Sequence, residues 1–148
     1  MSGRLVIVAG LPGAGKSTYL EHYVQGHPHA IVYDDYRGAV LGKVNDPRLN
    51  KHYSELLLNL EQGREVLVSD IMFCIPKYRN ELIAAVTGVL PAISIDYVFF
   101  ANKTEICKQN VIKRNRSEET VRRELDLIDE ITSQYSTPNI VVEDVYHD

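Results

Sequence analysis

The stretch Gly10-Leu11-Pro12-Gly13-Ala14-Gly15-Lys16-Ser17-Thr18 matches the pattern G-x-x-x-x-G-K-S/T at every fixed position. It constrains the fold through what must flank it, because such a loop binds phosphate only between a strand and the start of a helix. Leu5-Val6-Ile7-Val8-Ala9 before it is an apolar run of strand length, and Tyr19 to Gln25 after it reads as helix. The glycines permit a tight curl whose backbone N–H groups, from Gly10, Gly13, Ala14 and Gly15, point inward at a phosphate. The following helix adds its positive N-terminal end. Lys16 supplies a mobile charge for β and γ phosphates, and the Ser17 hydroxyl a hard oxygen ligand for Mg2+. Pro12 suits a rigid loop, and Thr18 completes the motif and reads as structural.

The loop needs a domain around it, and 148 residues with 45% apolar side chains supply one. A single domain over residues 1–148 is therefore expected. The formal charge of -4 argues against stable, sequence-independent binding to duplex nucleic acid. No apolar run reaches the roughly 18 residues of a membrane span and no signal pattern opens the chain, so a cytoplasmic protein without membrane partners is expected. Cys74 and Cys107 lack C-x-x-C spacing and read as packing residues of a reducing compartment.

After the loop the chain alternates strand with helix. The first helix is expected to end at Gly26, ahead of His27-Pro28, with His27 and His29 as loop residues. Ala30-Ile31-Val32-Tyr33 is a second strand that runs into Asp34-Asp35-Tyr36-Arg37. In open α/β sheets ligands sit beyond the carboxyl ends of the strands, so these acids share an edge with the phosphate loop. Asp34 is the better candidate base, and Asp35 the better helix cap. Leu49, Tyr53, Leu56, Leu57 and Leu60 form a helical apolar face that Gly63 closes. Glu65 to Asp70 is a third strand ending in an acid, the form of an element that holds water of a Mg2+ shell, with a cap or a solvated strand end as the alternative. Ile71 follows instead of a second acid, which weakens a hydrolase reading.

Ile71 to Ile75 lines either a pocket or the core, and Pro76 starts a helix that buries Tyr78, Leu82, Ala85 and Val86. Arg79 on that helix faces either solvent or the substrate edge. Ile93 to Phe100 is a fourth strand. Asn102-Lys103-Thr104-Glu105 superficially matches a guanine-binding N-K-x-D motif, but its acid is Glu, and Asn102 with Glu105 makes a capping box instead. The next stretch carries Lys103, Lys108, Lys113, Arg114 and Arg116 against Glu105 alone, either as a solvated face or as a lid whose cation meets a nucleotide. Ser117 to Ser133 is a last amphipathic helix, packing through Val121, Leu125, Ile128 and Ile131, and 140–142 a fifth short strand.

These elements predict a three-layer α/β fold: a mostly parallel five-stranded sheet with helices on both faces and a basic lid helix. Gly10 to Thr18, the Asp34-Asp35-Tyr36-Arg37 run, Val66 to Asp70 and the basic helix after Phe100 together resemble P-loop kinases of the polynucleotide kinase type, over roughly residues 4 to 138. The resemblance implies that Asp34 takes the proton of an acceptor hydroxyl and that Arg37 binds the acceptor's phosphate, a task suited to a planar fork of donors. The family's lid reads R-N-x-x-R, where this chain has Gln109-Asn110-Val111-Ile112-Lys113-Arg114, so the lid cation is Lys113, Arg114 or Arg116. Ile71-Met72 stands where relatives often carry Thr-Asn, which argues against a nucleic-acid acceptor.

The function expected from these residues is transfer of the γ-phosphoryl group of ATP to a hydroxyl of a small metabolite, nucleoside, nucleotide or nucleic-acid 5' end. Lys16, Asp34, Arg37 and Arg114 are the catalytic candidates, and Ser17 and Asp70 the candidates for holding Mg2+. The rivals are a nucleotide-dependent regulatory switch with slow hydrolysis and a kinase-like toxin acting on a sugar nucleotide.

Overall fold

The computed structural model describes residues 3–34, 36, 47–114 and 117–135. Its centre is β1 (Arg4–Ala9), flanked by β3 (Glu65–Ser69) and β4 (Ser94–Phe99), with β2 (Ile31–Tyr33) outside β3. All pairings are parallel, in the order β2-β3-β1-β4. The apolar run of β1 is almost wholly buried from Leu5 to Ala9, as a central strand covered on both faces must be. In β4, by contrast, Ser94 and Asp96 are exposed while Phe99 is buried.

Parallel neighbours need crossovers, and α1 (Lys16–Gly26), α2 (Tyr53–Glu61) and α3 (Pro76–Val89) supply them. The chain travels one way across the sheet from β1 to β2 and the other way from β2 to β3 and from β3 to β4. With right-handed crossovers, that reversal puts α1 on the opposite face from α2 and α3, which makes the three layers. Arg4 ties the strand starts together, pairing with Glu65 on β3 and, through Nε at 2.6 Å, with Asp96 on β4. The opposite end of the sheet holds the phosphate loop. After β4 come α4 (Thr104–Lys113) and α5 (Glu118–Thr132), packed on each other and joined by Lys108 to Asp129 at 2.6 Å.

Several sequence expectations need correction. The sheet has four strands among the described residues rather than five, and the strand expected at 140–142 lies outside them. α1 begins at Lys16, three residues earlier than its apolar pattern suggests, because Gly15 at φ 103 turns the chain directly into the first helical residue. The helix expected from Leu49 starts only at Tyr53, after a 3-10 turn over Pro47–Leu49, and ends before Gly63 at φ 83. Its buried residues are Tyr53, Leu56, Asn59 and Leu60, with Leu57 half-buried. The capping box at Asn102 does not form, since Lys103 occupies the cap of α4 and its side chain makes no capping bond. Asn102 turns to the end of α5 instead, donating to the Thr132 carbonyl at 3.0 Å and accepting from its hydroxyl at 2.8 Å. An uncapped carbonyl at a helix end needs a donor, and Asn102 meets that need. In α5, Leu127 joins Ile128 and Ile131 in the core, while Val121 and Leu125 are only half-buried.

Candidate active site

The loop between β1 and α1 is held by its own backbone and by what packs behind it. Gly13 (φ 82) and Gly15 (φ 103) are left-handed, which favours glycine. The Ala14 amide donates to the Leu11 carbonyl at 3.0 Å, closing a tight turn. Gly10 has no room for a side chain without crowding, since a Cβ there would sit 3.1 Å from the Cβ of Phe100. No side chain caps α1 and no acid occupies its first turn, and the positive end of such a helix is able to take an anion. Lys16 is 8% exposed, and its ammonium lies back on the loop, donating to the carbonyls of Gly10 at 2.7 Å and Leu11 at 3.1 Å. Those bonds compensate a buried charge. Thr18 is half-buried.

Asp34 follows the last residue of β2, at the loop-bearing edge of the sheet, and is exposed. Its carboxylate accepts from the Ser17 hydroxyl at 2.7 Å through Oδ2 and from the Ser69 hydroxyl at 2.5 Å through Oδ1. The phosphate loop, the end of β2 and the end of β3 thus converge on one carboxylate. Asp70, next after Ser69, is fully buried, and its Oδ1 accepts from the Met72 amide at 2.9 Å, capping a 3-10 turn over Ile71–Cys74. All four residues of that turn are buried, so this stretch is core. Asp35, Arg37 and Arg116 lie outside the described residues.

The basic stretch forms α4, whose inner face of Cys107, Asn110 and Val111 packs on the phosphate loop. A Cβ at Gly13 would stand 2.4 Å from the Cys107 carbonyl oxygen and 3.1 Å from a Val111 methyl. Asn110, buried, donates to the Gly13 carbonyl at 3.0 Å. Lys113 and Arg114, at the end of α4, are exposed. Lys103 and Lys108 lie at its other end and along it, away from that pair in the chain.

Arg79 takes neither of the positions the sequence leaves open to it. It is buried on α3, donates to the carbonyls of Phe73 at 2.9 Å and Cys74 at 3.4 Å, and lies 5.0 Å from the ring centre of Phe99. Burial lowers its pKa. The same environment raises the thiols: burial pushes Cys74 up to about 12 and Cys107 to about 11, against a smaller opposing effect of the Lys16 charge. Both thiols are packing residues, and neither is ionised near neutrality. Tyr135 completes the back wall, its hydroxyl donating to the carbonyls of Ala9, at 3.2 Å, and Phe100.

Sequence reasoning passes over Ser69, Asn110 and the burial of Arg79. Ser69 offers one signal, a hydroxyl ending an apolar strand; Asn110 offers another, lying three residues after Cys107 and one before Val111 on one helix face. Hydroxyl and carboxylate oxygens are the donor set that Mg2+ prefers, so Ser17 with a nearby acid fits that ion. Among the described residues no three His, Cys, Asp or Glu side chains group to hold a metal by themselves. Mg2+ here would share its shell with phosphate oxygens and water. No helix among the described residues is long and apolar enough to cross a membrane.

A family model described as AAA domain matches residues 5–138. An uncharacterized protein of Acanthamoeba polyphaga mimivirus is 24% identical over 136 residues, covering 91% of this chain and 88% of the relative. Among solved structures, a gluconokinase from Sinorhizobium meliloti 1021 aligns with a TM-score of 0.64 at 15% identity, over 99% of this chain and 85% of that one. A fungal RNA kinase aligns with the same TM-score and identity, over 99% and 75%. The Mycobacterium tuberculosis APS kinase, solved with AMPPNP and APS, aligns at 0.61 and 19% identity, over 97% and 88%. The shared fold is that of P-loop kinases.

Proposed function

This chain belongs to the AAA domain family and has the fold of P-loop kinases, and from that premise we propose that it transfers the γ-phosphoryl group of ATP to the hydroxyl of an acceptor. One observation carries the reading: the Asp34 carboxylate, at the end of β2, lies 2.7 Å from the Ser17 hydroxyl of the phosphate loop. In this reading the candidate base and the candidate Mg2+ ligand of the phosphate loop are within one hydrogen bond of each other.

In this reading the loop amides and the N-terminus of α1 bind the phosphates, and Lys16 exchanges its two loop carbonyls for β and γ oxygens. Ser17 and Asp70 are the residues that would hold Mg2+. The ion supplies neutralisation of charge on the phosphate oxygens. Asp34 accepts the proton of the attacking hydroxyl as its oxygen bonds to the γ phosphorus, and the bond from that phosphorus to the β–γ bridging oxygen breaks, leaving its electron pair on ADP. Arg37 would clamp an anionic acceptor, and Lys113, Arg114 or Arg116 would meet charge on the transferred group. Ile71, buried and apolar, follows Asp70 where many motor-type ATPases place a water-polarising acid, which favours transfer over a switch that hydrolyses. The solved relatives are named for gluconate, RNA and APS, so the acceptor is not fixed by the fold. We place the reaction in the cytoplasm.

The test is γ-labelled ATP with Mg2+ against nucleosides, nucleotides, sugars, sugar nucleotides and 5'-hydroxyl oligonucleotides, with labelled product scored apart from free phosphate. Labelled product is expected with one acceptor class. Free phosphate alone, indifferent to every acceptor, overturns the reading.

A further inference from the structure

Ser69 has no task in the mechanism above, yet its side chain is fully buried at the end of an apolar strand. A buried hydroxyl is costly unless bonded, and here its bond goes to the proposed base, at 2.5 Å. The same residue grips the base a second way, since its carbonyl accepts the Tyr36 amide at 2.8 Å, two residues beyond Asp34. Ser69 itself cannot drift. It pairs with Val8 in the parallel register of β3 with β1, two residues before the phosphate loop opens.

We propose that Ser69 is the positioning residue for Asp34, fixing the carboxylate at Oδ1 so that Oδ2 stays within reach of the Ser17 hydroxyl. The assignment rests on the transferase reading. Asp34 is exposed and follows a strand of only three residues, so its side chain has little packing to orient it. Two hydroxyl donors, one on each oxygen, supply that orientation. The choice of a hydroxyl also has chemical sense. A lysine or arginine in its place would orient the carboxylate equally well but would oppose proton uptake, whereas a neutral donor leaves the negative charge in place. Ser69 gains and loses no proton in the step.

A double-mutant cycle tests this. In single-turnover transfer with the acceptor found by the labelled-ATP panel, Ser69→Ala should slow the step by on the order of 10- to 100-fold, the loss expected when a reacting group is misplaced rather than removed. Affinity for a non-hydrolysable ATP analogue should stay within about twofold, because the phosphate-binding groups are untouched. In an Asp34→Asn background the same substitution should cost less than about twofold, since its effect passes through the carboxylate. Ser69→Cys, nearly isosteric and a weak donor, replaces Ser69→Ala in the cycle if the alanine variant does not fold. Equal losses with and without the Asp34 carboxylate would make Ser69 a merely structural residue and overturn the proposal, as would full transfer by either Ser69 variant. No labelled product from the unaltered protein overturns the transferase reading and this assignment together, a result distinct from an active protein indifferent to Ser69.

Discussion

Lys16 contacts its own loop before it contacts any substrate, and removing it therefore has two effects. Lys16→Ala should lower transfer by about 10³-fold, the cost of deleting a cation aimed at developing charge. It also leaves the Gly10 and Leu11 carbonyls without their ammonium partner, so ATP binding should weaken as well, as read by titration with a fluorescent nucleotide. Unchanged affinity would show that the ammonium does not reach the phosphates. How legible a residue is in the sequence follows the distance of its partner along the chain. The phosphate loop is self-contained, so Gly10 to Ser17 announce themselves. Asp34 is readable because strand ends converge on one edge, although its bond to Ser17 spans 17 positions. Ser69 binds 35 positions away and Asn110 97 positions away, and nothing local marks either as more than a polar residue in an apolar setting. Arg79 is hardest to read, because an arginine satisfied by two carbonyls and a ring rather than by an acid looks like surface in any pattern of charge.

At the scale of elements, periodicity locates the helices well and their ends less well. α1 starts early because a left-handed glycine, not an apolar side chain, decides its first residue. α4 is uncapped by side chains because Asn102, its expected cap, is engaged by α5. The contact between α4 and the phosphate loop makes a sharp prediction. Gly13→Ala demands a left-handed alanine and thrusts its Cβ to 2.4 Å from the Cys107 carbonyl oxygen. The helix and loop must separate, so urea unfolding should report a loss of at least about 2 kcal/mol. Nucleotide affinity should fall in parallel. A Gly13→Ala protein of native stability and affinity would mean that the loop and α4 part at no cost.

For the molecule as a whole, the alternation of strand and helix makes the parallel three-layer architecture readable, and the phosphate loop identifies β1 as a covered central strand. The strand order comes from the described pairings, since no local pattern says that β3 rather than β2 lies beside β1. Burial of the core also sets a pH limit. Folding raises Cys74 to about 12, Cys107 to about 11 and Tyr33 to about 12, the last with help from its bond to Glu55. In the unfolded chain the thiols ionise near 8.5 and the phenol near about 10. The folded state therefore holds more protons than the unfolded one above those values, and stability, intact below about pH 8, falls as pH rises toward the folded values. Melting temperatures taken from pH 7 to 11 should be flat and then decline, and Cys74→Ala should shallow the decline. A flat profile to pH 11 would contradict the burial of these groups.

The seating of α4 on Gly13 has a consequence for anyone who wishes to retarget the protein to a new acceptor. Cys107, Asn110 and Val111 are coupled to the loop backbone, so randomising them would scramble phosphate binding along with whatever else it altered. Gln109 and Ile112 are exposed on the same helix, whose end carries the lid-cation candidates Lys113 and Arg114. A library confined to Gln109 and Ile112 would vary the helix surface while sparing both its contacts with the loop and the lid-cation candidates, so that nucleotide binding and selectivity could be altered separately.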